Sequence, residues 1–276
     1  ESFGNPERER RIAHTGDLFC DLSHFGIISA YGDDAAEFLQ AQFSNDINQV
    51  DEAHSQLSAL CSPKGRMLCN FRIFRREQTY YLVLPYELLE AALSRLRMFV
   101  LRSRVTLEDA SDALIGIGAS GNKMVEHLCD IVGELPENVE QSIEHKDFTI
   151  VRVAGIVPRF EIYGLLEAMK KLWQALDVHA TPVGADVWEL LNIRAGIPVI
   201  TASTIDAFVH SMLSSELGAR PYLLLEIDAH TADAGVQTRL EAFQDIIRNQ
   251  ERAGDASSPR GDFVPCRLDA RGRITT

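Results

Sequence analysis

The sequence lacks the spacing patterns that mark the commonest metal and hydrolase sites. Its eight histidines form no HxH or HExxH pattern and its five cysteines form no CxxC pair, so no metal site is predicted. No G-x-S-x-G elbow is present, which leaves an α/β-hydrolase nucleophile without support. The odd number and scattered positions of the cysteines indicate reduced thiols rather than a disulfide framework.

Long apolar runs and an excess of basic residues are also lacking. No stretch approaches the ~18 apolar residues of a membrane-spanning helix, and residues 1–11 are charged rather than signal-like. We therefore expect a cytoplasmic protein without a membrane partner. The net charge of −13 disfavours binding to nucleic acid, which needs basic surface, so no direct nucleic-acid partner is expected.

What is present is the composition of a soluble globular protein, with 46% apolar and 24% charged residues. At 276 residues the chain is longer than a usual single domain, which predicts two or three domains.

The stretch 186–200 is typical of a short helix that ends in an extended segment. Asp186 and Glu189 have the spacing of a capping box, and Gly196 is suited to the position just past the helix end. Arg194, in the last turn, has two interpretations. It complements the carbonyl end of the helix dipole, or it meets an anion in a cleft between two domains.

The hydrophobic periods predict an α+β fold of two ferredoxin-like units, at 1–110 and 111–215. The first unit would contain strands at 27–31, 56–61, 66–74, 79–84 and 104–107, with helices at 34–43 and 85–101. The second would contain strands at 113–118, 148–153 and 159–163, with helices at 120–132 and 165–176. The pattern weakens over the segment 216–276, which is predicted to be a small, incomplete C-terminal β domain or partly disordered. Two such units leave a cleft between them, where ligand sites are common.

Polar residues gather on one face of the strand at 66–74 and in the turn before it. Apolar residues at every second position occupy the opposite face of this strand, so the polar face would ordinarily meet water. If it lines the cleft instead, its cations and amide converge beside Arg194 and suit an anionic heteroaromatic ligand. The residues concerned are Lys64, Arg66, Asn70 and Arg72.

A G-x-G-x-x-G pattern follows one predicted strand and precedes a helix, as in a dinucleotide site. Such a site also needs an acidic residue about twenty positions on, after the next strand. The acids near that spacing lie in a proline-containing loop, so tight strand-to-helix packing is the preferred interpretation. The glycines are Gly116, Gly118 and Gly121, and the acids are Glu134, Glu137 and Glu140.

Several motifs have fixed spacing between residues 15 and 214. They are SPKGRM at 62–67, RIFR at 72–75, FVLRSRV at 99–105, RFEIY at 159–163 and RAGIP at 194–198, together with Asp46. In these motifs the chain resembles the YgfZ family, folate-binding relatives of the glycine-cleavage T-protein, which is a tetrahydrofolate-dependent aminomethyltransferase.

The resemblance implies two ferredoxin-like domains and a C-terminal β-barrel around a central folate cleft, with tetrahydrofolate as the cofactor. For the YgfZ branch it implies assembly or repair of iron–sulfur clusters and a role in tRNA modification, with iron–sulfur proteins as partners. The cofactor-binding residues that it predicts in this sequence are Lys64, Arg66, Asn70, Arg72, Glu161, Trp188 and Arg194.

The sequence departs from the family pattern at three places. T-proteins carry an acidic pair where this chain has Cys69 and Asn70, and an amide cannot act as that carboxylate. Arg194, a donor-only group, stands where T-proteins have a pterin-binding glutamate. The K-G-C-[YF]-x-G-Q-E signature of YgfZ proteins is missing.

Three hypotheses therefore remain. The leading one is a YgfZ-like folate-binding protein, with no catalytic residue assigned. The others are a folate-dependent aminomethyltransferase and a non-enzymatic module that has lost the ligand.

Overall fold

A computed structural model describes residues 2–207 and two short paired strands near the C-terminus, Arg267–Leu268 and Ile274–Thr275. Most of the predicted C-terminal unit, 216–276, lies outside the described residues. Within the described part, no helix combines the length and the apolar character needed to cross a membrane.

Two β-sheets, each with helices packed against it, make up residues 2–207 and confirm the α+β class. The helices are α1 (Pro6–Thr15), α2 (Ala35–Gln42), α3 (Tyr86–Phe99), α4 (Met124–Val132), α5 (Leu166–Leu176) and α6 (Ala185–Ala195). The strands are β1 (Leu18–Asp21), β2 (Phe25–Tyr31), β3 (Gln56–Cys61), β4 (Met67–Arg76), β5 (Thr79–Pro85), β6 (Thr106–Asp109), β7 (Ile115–Ser120), β8 (Ser142–Glu144), β9 (Phe148–Val153), β10 (Arg159–Gly164) and β11 (Thr181–Val183).

The first sheet is antiparallel, with the strand order β3-β4-β5-β2-β6. One of its faces packs against α2 and α3, which bury Leu39 and Leu96 against Ile28, Ile73 and Leu82. The predicted alternation of β4 is confirmed, since its apolar face joins this core. The burial of that face is what fixes the register of the strand.

The second sheet has the order β11-β1-β7-β10-β9-β8, antiparallel except for the β1 and β11 pair. Helices α4 and α5 bury Leu128 and Leu172 against Ile117 and Phe160 of this sheet. β1 lies within the predicted first unit, 1–110, yet pairs in the second sheet. The sheets therefore do not test where the predicted units 1–110 and 111–215 begin and end, and these bounds stay predictions. The sequence patterns did not predict α1, β1, β8 or β11, of which the strands have only three or four residues.

Helix α6 begins at Ala185 with Gly184 as its N-cap, two positions before the N-cap that the sequence indicated. Asp186 therefore lies inside the first turn, and the predicted capping box, which needs Asp186 at the N-cap, was wrong. The carboxylate of Glu9 from α1 accepts a hydrogen bond from the Gly184 amide instead, at 2.9 Å. The prediction at the other end is confirmed, because Gly196 follows the helix in the left-handed conformation, with φ of 72°.

The two sheets pack against each other through their remaining faces. An apolar cluster between them includes Ile27, Phe74 and Val83 from the first sheet and Val151 and Tyr163 from the second. The rings of Phe74 and Tyr163 stack with centroids 4.8 Å apart. The polar face of β4 therefore lies against protein rather than water, and this contact positions the site.

Candidate functional site

Arg72, on the polar face of β4, lies between two carboxylates at the contact of the sheets. Its Nε donates to Glu161 of β10 at 3.0 Å, and its Nη1 donates to Glu140. Burial alone would lower the pKa of Arg72, but Glu140 and Glu161 outweigh it and raise that pKa. The guanidinium is therefore a permanent charge that joins the two sheets.

Glu161 has a second partner on its own strand, because the hydroxyl of Tyr163 donates to it at 2.8 Å. Burial raises the pKa of Tyr163 well above its usual value, and the neighbouring carboxylate raises it further. The tyrosine therefore remains protonated and acts as a donor. Glu161 is thus held in place by two donors, the Arg72 guanidinium and the Tyr163 hydroxyl.

Glu140 was not among the site residues that the sequence predicted. It lies on the loop before β8 with φ of 65°, a conformation that non-glycine residues seldom adopt. Its amide donates to Arg152 O at 2.8 Å, and its carbonyl accepts from the Ser55 amide at 2.7 Å. The hydroxyl of Ser55 also donates to its carboxylate, at 2.9 Å. Nothing in the residue pattern indicated this contact, which depends on how the two sheets meet.

A second buried guanidinium, that of Arg159, lies beside this cluster. It donates to the carbonyl oxygens of Ala154 and Leu191 and to Asn192 Oδ1, at 3.0, 3.1 and 2.8 Å. Burial lowers the pKa of Arg159 to about 10, although nearby Glu161 opposes the shift, so it is still charged at neutral pH.

Trp188 of α6 is fully buried against this guanidinium, whose central carbon lies 4.3 Å from the indole centroid. Among the residues that the structure describes, neither Arg159 Nε nor Trp188 Nε1 has a hydrogen-bond acceptor, so each side chain keeps an unpartnered donor there. Unpartnered buried donors are costly and unusual. An acceptor-rich ligand between α6 and the second sheet would satisfy both.

The packing interpretation of the glycine pattern is confirmed. A Cβ on Gly118 would lie 2.6 Å from the Trp188 ring, so this glycine makes room for the indole. Gly121 has φ of 151° and faces the carboxylate of Asp17, which accepts from the Lys123 amide at 2.9 Å. A carboxylate therefore occupies the start of α4, where a dinucleotide site would need the pyrophosphate.

Asn70 is bonded at both ends of its amide to the chain that leaves α6. Its Nδ2 donates to Pro198 O at 2.6 Å, and its Oδ1 accepts from the Ile200 amide at 2.7 Å. Arg66 holds the same segment farther along, donating to the carbonyl oxygens of Asp206 and Ala207 at 3.0 and 3.1 Å. We call residues 197–207 the strap, since they lie across β4.

The other predicted site residues lie at separate places. Lys64 is exposed in the turn before β4. Arg194 donates to Ala13 O near the end of α1, at 3.4 Å, and contacts none of the Arg72 cluster among the bonds of the described residues. The structure therefore joins Arg72 with Glu161, places Trp188 beside them through Arg159, and uses Asn70 and Arg66 to hold the strap.

The buried thiols of Cys20 and Cys69 are unreactive at neutral pH. Burial raises the pKa values of Cys20 and Cys69 to about 12, so both are protonated at neutral pH. Across the residues that the structure describes, no three histidine, cysteine, aspartate or glutamate side chains are grouped as metal ligands.

His24 predicts a loss of stability on acidification. Burial lowers its pKa from the ordinary 6.5, and its Nδ1 has no hydrogen-bond partner within the described part of the chain. Below that value the unfolded chain binds a proton that the folded protein binds less readily, so the free energy of unfolding falls as the pH drops. Urea denaturation between pH 7 and 5 should show a shallower decline for His24→Gln than for wild type. The control is His54→Gln, at an exposed histidine, and equal slopes for wild type and His24→Gln would contradict the assignment.

Comparison with known proteins agrees with this architecture. The family model of the GCVT N-terminal domain matches residues 3–188. The chain belongs to the GCVT N-terminal domain family. The aminomethyltransferase T of the glycine cleavage system from Bartonella henselae has the same fold, with a TM-score of 0.66 at 20% identity over 86% of this chain and 66% of that one.

The resemblance to YgfZ proteins is confirmed by curated relatives. The tRNA-modifying protein YgfZ of Colwellia psychrerythraea is 29% identical over 199 residues, which are 70% of this chain and 59% of that protein. The protein of the same name from Photorhabdus laumondii is 26% identical over 188 residues, 68% of this chain and 56% of its own length. The chain thus matches less than two thirds of the length of these relatives.

Proposed function

We propose that this chain is a cytoplasmic YgfZ-like protein that binds a reduced folate such as tetrahydrofolate and assists iron–sulfur proteins, including those of tRNA modification. The observation that carries the proposal is the pair of buried, unpartnered donors on Arg159 and Trp188. The relatives, which are tRNA-modifying proteins, support the link to tRNA modification.

The residues between α6 and the second sheet fit a pterin. A pterin ring has a carbonyl oxygen and ring nitrogens that accept hydrogen bonds, which is what the two free donors need. Trp188 and Arg159 would hold the ring, with Arg72 and Glu161 as the nearest charged groups. A bound reduced folate supplies a carrier for a one-carbon unit.

The same residues argue against classical aminomethyl transfer. Asn70 occupies the place of a T-protein carboxylate in the resemblance, and both ends of its amide are bonded to the strap. Glu161 already accepts from Arg72 and Tyr163. An amide is not a base, and two donors already bond to the Glu161 carboxylate, so in this proposal the chain's own residues bind and orient the folate and no general base is assigned.

Calorimetric titration of the purified chain with tetrahydrofolate, under exclusion of oxygen, tests the binding. We expect saturable binding that Trp188→Phe weakens about tenfold, equivalent to 1.4 kcal/mol, because phenylalanine lacks the indole donor. The matched control is Trp173→Phe on α5, whose ring packs on Phe19 in another core. It should bind like wild type.

Two results would count against this part of the proposal, namely no binding at millimolar tetrahydrofolate and equal affinity of the two tryptophan variants. Arg194→Ala separates the two interpretations of that residue. Because Arg194 contacts the backbone of α1, we expect unchanged binding. A tenfold loss of tetrahydrofolate affinity in Arg194→Ala would instead indicate that Arg194 contacts the ligand.

The role with iron–sulfur proteins has its own test. A bacterial strain that lacks its YgfZ protein can be supplied with this chain, and the activity of an iron–sulfur-dependent tRNA-modifying enzyme measured. Restored activity supports the proposal. Normal expression of the chain without restored activity contradicts it.

A non-enzymatic module without a ligand is the second candidate. It is favoured by the bonds that Asn70, Arg72 and Glu161 make within the chain itself, which leave these groups satisfied without a folate. Absence of folate binding by a folded protein would establish this candidate over the first.

A further inference from the structure

A carboxylate on a loop contributes to the charge balance between the sheets. The buried guanidinium of Arg72 pairs with two carboxylates, Glu161 and Glu140, and Glu161 also acts electrostatically on a second buried guanidinium, that of Arg159. If Glu140 left, Arg72 and Arg159 would share the Glu161 carboxylate within the described part of the chain. An uncompensated buried charge is strongly unfavourable, so this position favours an occupant with negative charge.

The two carboxylates differ in how firmly they are held. Glu161 is on the central strand β10, its side chain is only 10% exposed, and Tyr163 fixes it from a second side. Glu140 also has a second donor, the Ser55 hydroxyl at 2.9 Å, but it is on a loop and its side chain is 31% exposed. Its place on Arg72 can therefore be reached from solvent without separating the sheets.

The backbone of Glu140 can stay in place while its side chain moves. Its amide and carbonyl are bonded to Arg152 and Ser55, independently of the carboxylate. Its positive φ places it among the residues held in rare conformations, which are concentrated at ligand sites and switches. Rotation of the side chain alone would release Arg72 Nη1.

We propose that Glu140 is the internal occupant of an anion site centred on Arg72, and that the carboxylate of a small molecule takes its place. The incoming group accepts from Arg72 Nη1 while Glu140 turns into solvent, and no covalent bond changes. The glutamate arm of a folate and a free dicarboxylate offer the same chemistry. The inference rests on the proposed function only for the first of these sources.

Titration of the full chain with p-aminobenzoyl-glutamate, which carries the folate carboxylates without the pterin, tests the site. We expect Glu140→Gln to bind this probe at least tenfold more tightly than wild type, because the internal competitor has lost its charge. The matched control is Glu137→Gln, which removes the same charge from an exposed position on the same loop. It should bind like wild type, which separates the site from general charge effects.

Two further probes distinguish the source of the carboxylate. Glutarate gaining affinity to the same extent in Glu140→Gln would assign the site to free dicarboxylates. A gain confined to p-aminobenzoyl-glutamate would assign it to the folate arm. A tetrahydropterin without the glutamate arm should bind equally to wild type and Glu140→Gln. If that pterin does not bind at all while the carboxylate gain persists, the proposed function fails and the anion site stands.

Equal affinity of Glu140→Gln and Glu137→Gln for both carboxylate probes would overturn the inference. Glu140→Asn provides a second variant should the glutamine form fold poorly, because asparagine adopts positive φ more readily. Its shorter, neutral side chain also vacates Arg72, so the same gain is expected, and its absence in a folded variant would equally refute the site.

Discussion

Replacing Arg72 by methionine should lower the free energy of unfolding by about 3–5 kcal/mol, the usual cost of removing one partner of a buried ion pair. The change leaves the carboxylate of Glu161 buried without its cation, next to that of Glu140. Urea denaturation at pH 7 measures the loss. The matched control is Lys64→Met at an exposed turn position, which should change stability by less than about 0.5 kcal/mol.

A second substitution tests whether the loss comes from the buried charge. Arg72→Met combined with Glu161→Gln should regain part of the stability, because the uncompensated carboxylate is gone. If Arg72→Met is as stable as Lys64→Met, the cation does not hold the two sheets together. Both the candidate site and the anion site built on Arg72 would then lose their basis.

Asn70→Asp should cost about 3 kcal/mol at pH 7, because a buried group then loses its donor and gains a charge. The asparagine amide donates to Pro198 O at 2.6 Å, and a carboxylate there would face the carbonyl oxygen as a second acceptor. This repulsion raises the pKa of the introduced carboxyl in the folded protein above its unfolded value of about 3.9. The loss is therefore complete above that folded pKa and shrinks as the pH falls through it.

Unfolding free energies of wild type and Asn70→Asp, compared at pH 7 and pH 4, measure this effect. The control is Asn138→Asp at an exposed loop position, for which we expect a small change at both pH values. A loss for Asn70→Asp that does not depend on pH would refute the carboxylate–carbonyl contact. An unchanged free energy of unfolding would mean that the bonds from Asn70 to the strap do not stabilise the protein.

Elements with a strong local period were predictable, and those that depend on partners were not. The strands Gln56–Cys61 and Phe148–Val153 have the predicted bounds, since their composition and flanking residues suffice to define them. β1 and β11 contain only four and three residues and pair with each other in parallel across most of the chain. Such short strands form because neighbouring strands supply their hydrogen bonds, which a local pattern does not contain.

The same distinction applies to the site. The alternation of β4 predicted that Asn70 and Arg72 share a face, and the structure places both side chains there, buried. Their partners could not be read from the sequence. Glu140 stands 68 positions from Arg72, and the strap carbonyl of Pro198 stands 128 positions from Asn70.

The sequence by itself determined the α+β class, the polar face of β4, the left-handed glycine after α6 and the resemblance to YgfZ proteins. Only the tertiary structure decided what that polar face meets. The second sheet and the strap cover it, so groups that would have been solvated are buried and must find partners. Arg72 pairs with two carboxylates and Asn70 bonds to the strap, whereas Arg159 Nε and Trp188 Nε1 have no acceptor among the residues that the structure describes. Local sequence specifies which residues share a face, whereas long-range packing specifies what lies against it, because burial and charge pairing depend on distant segments.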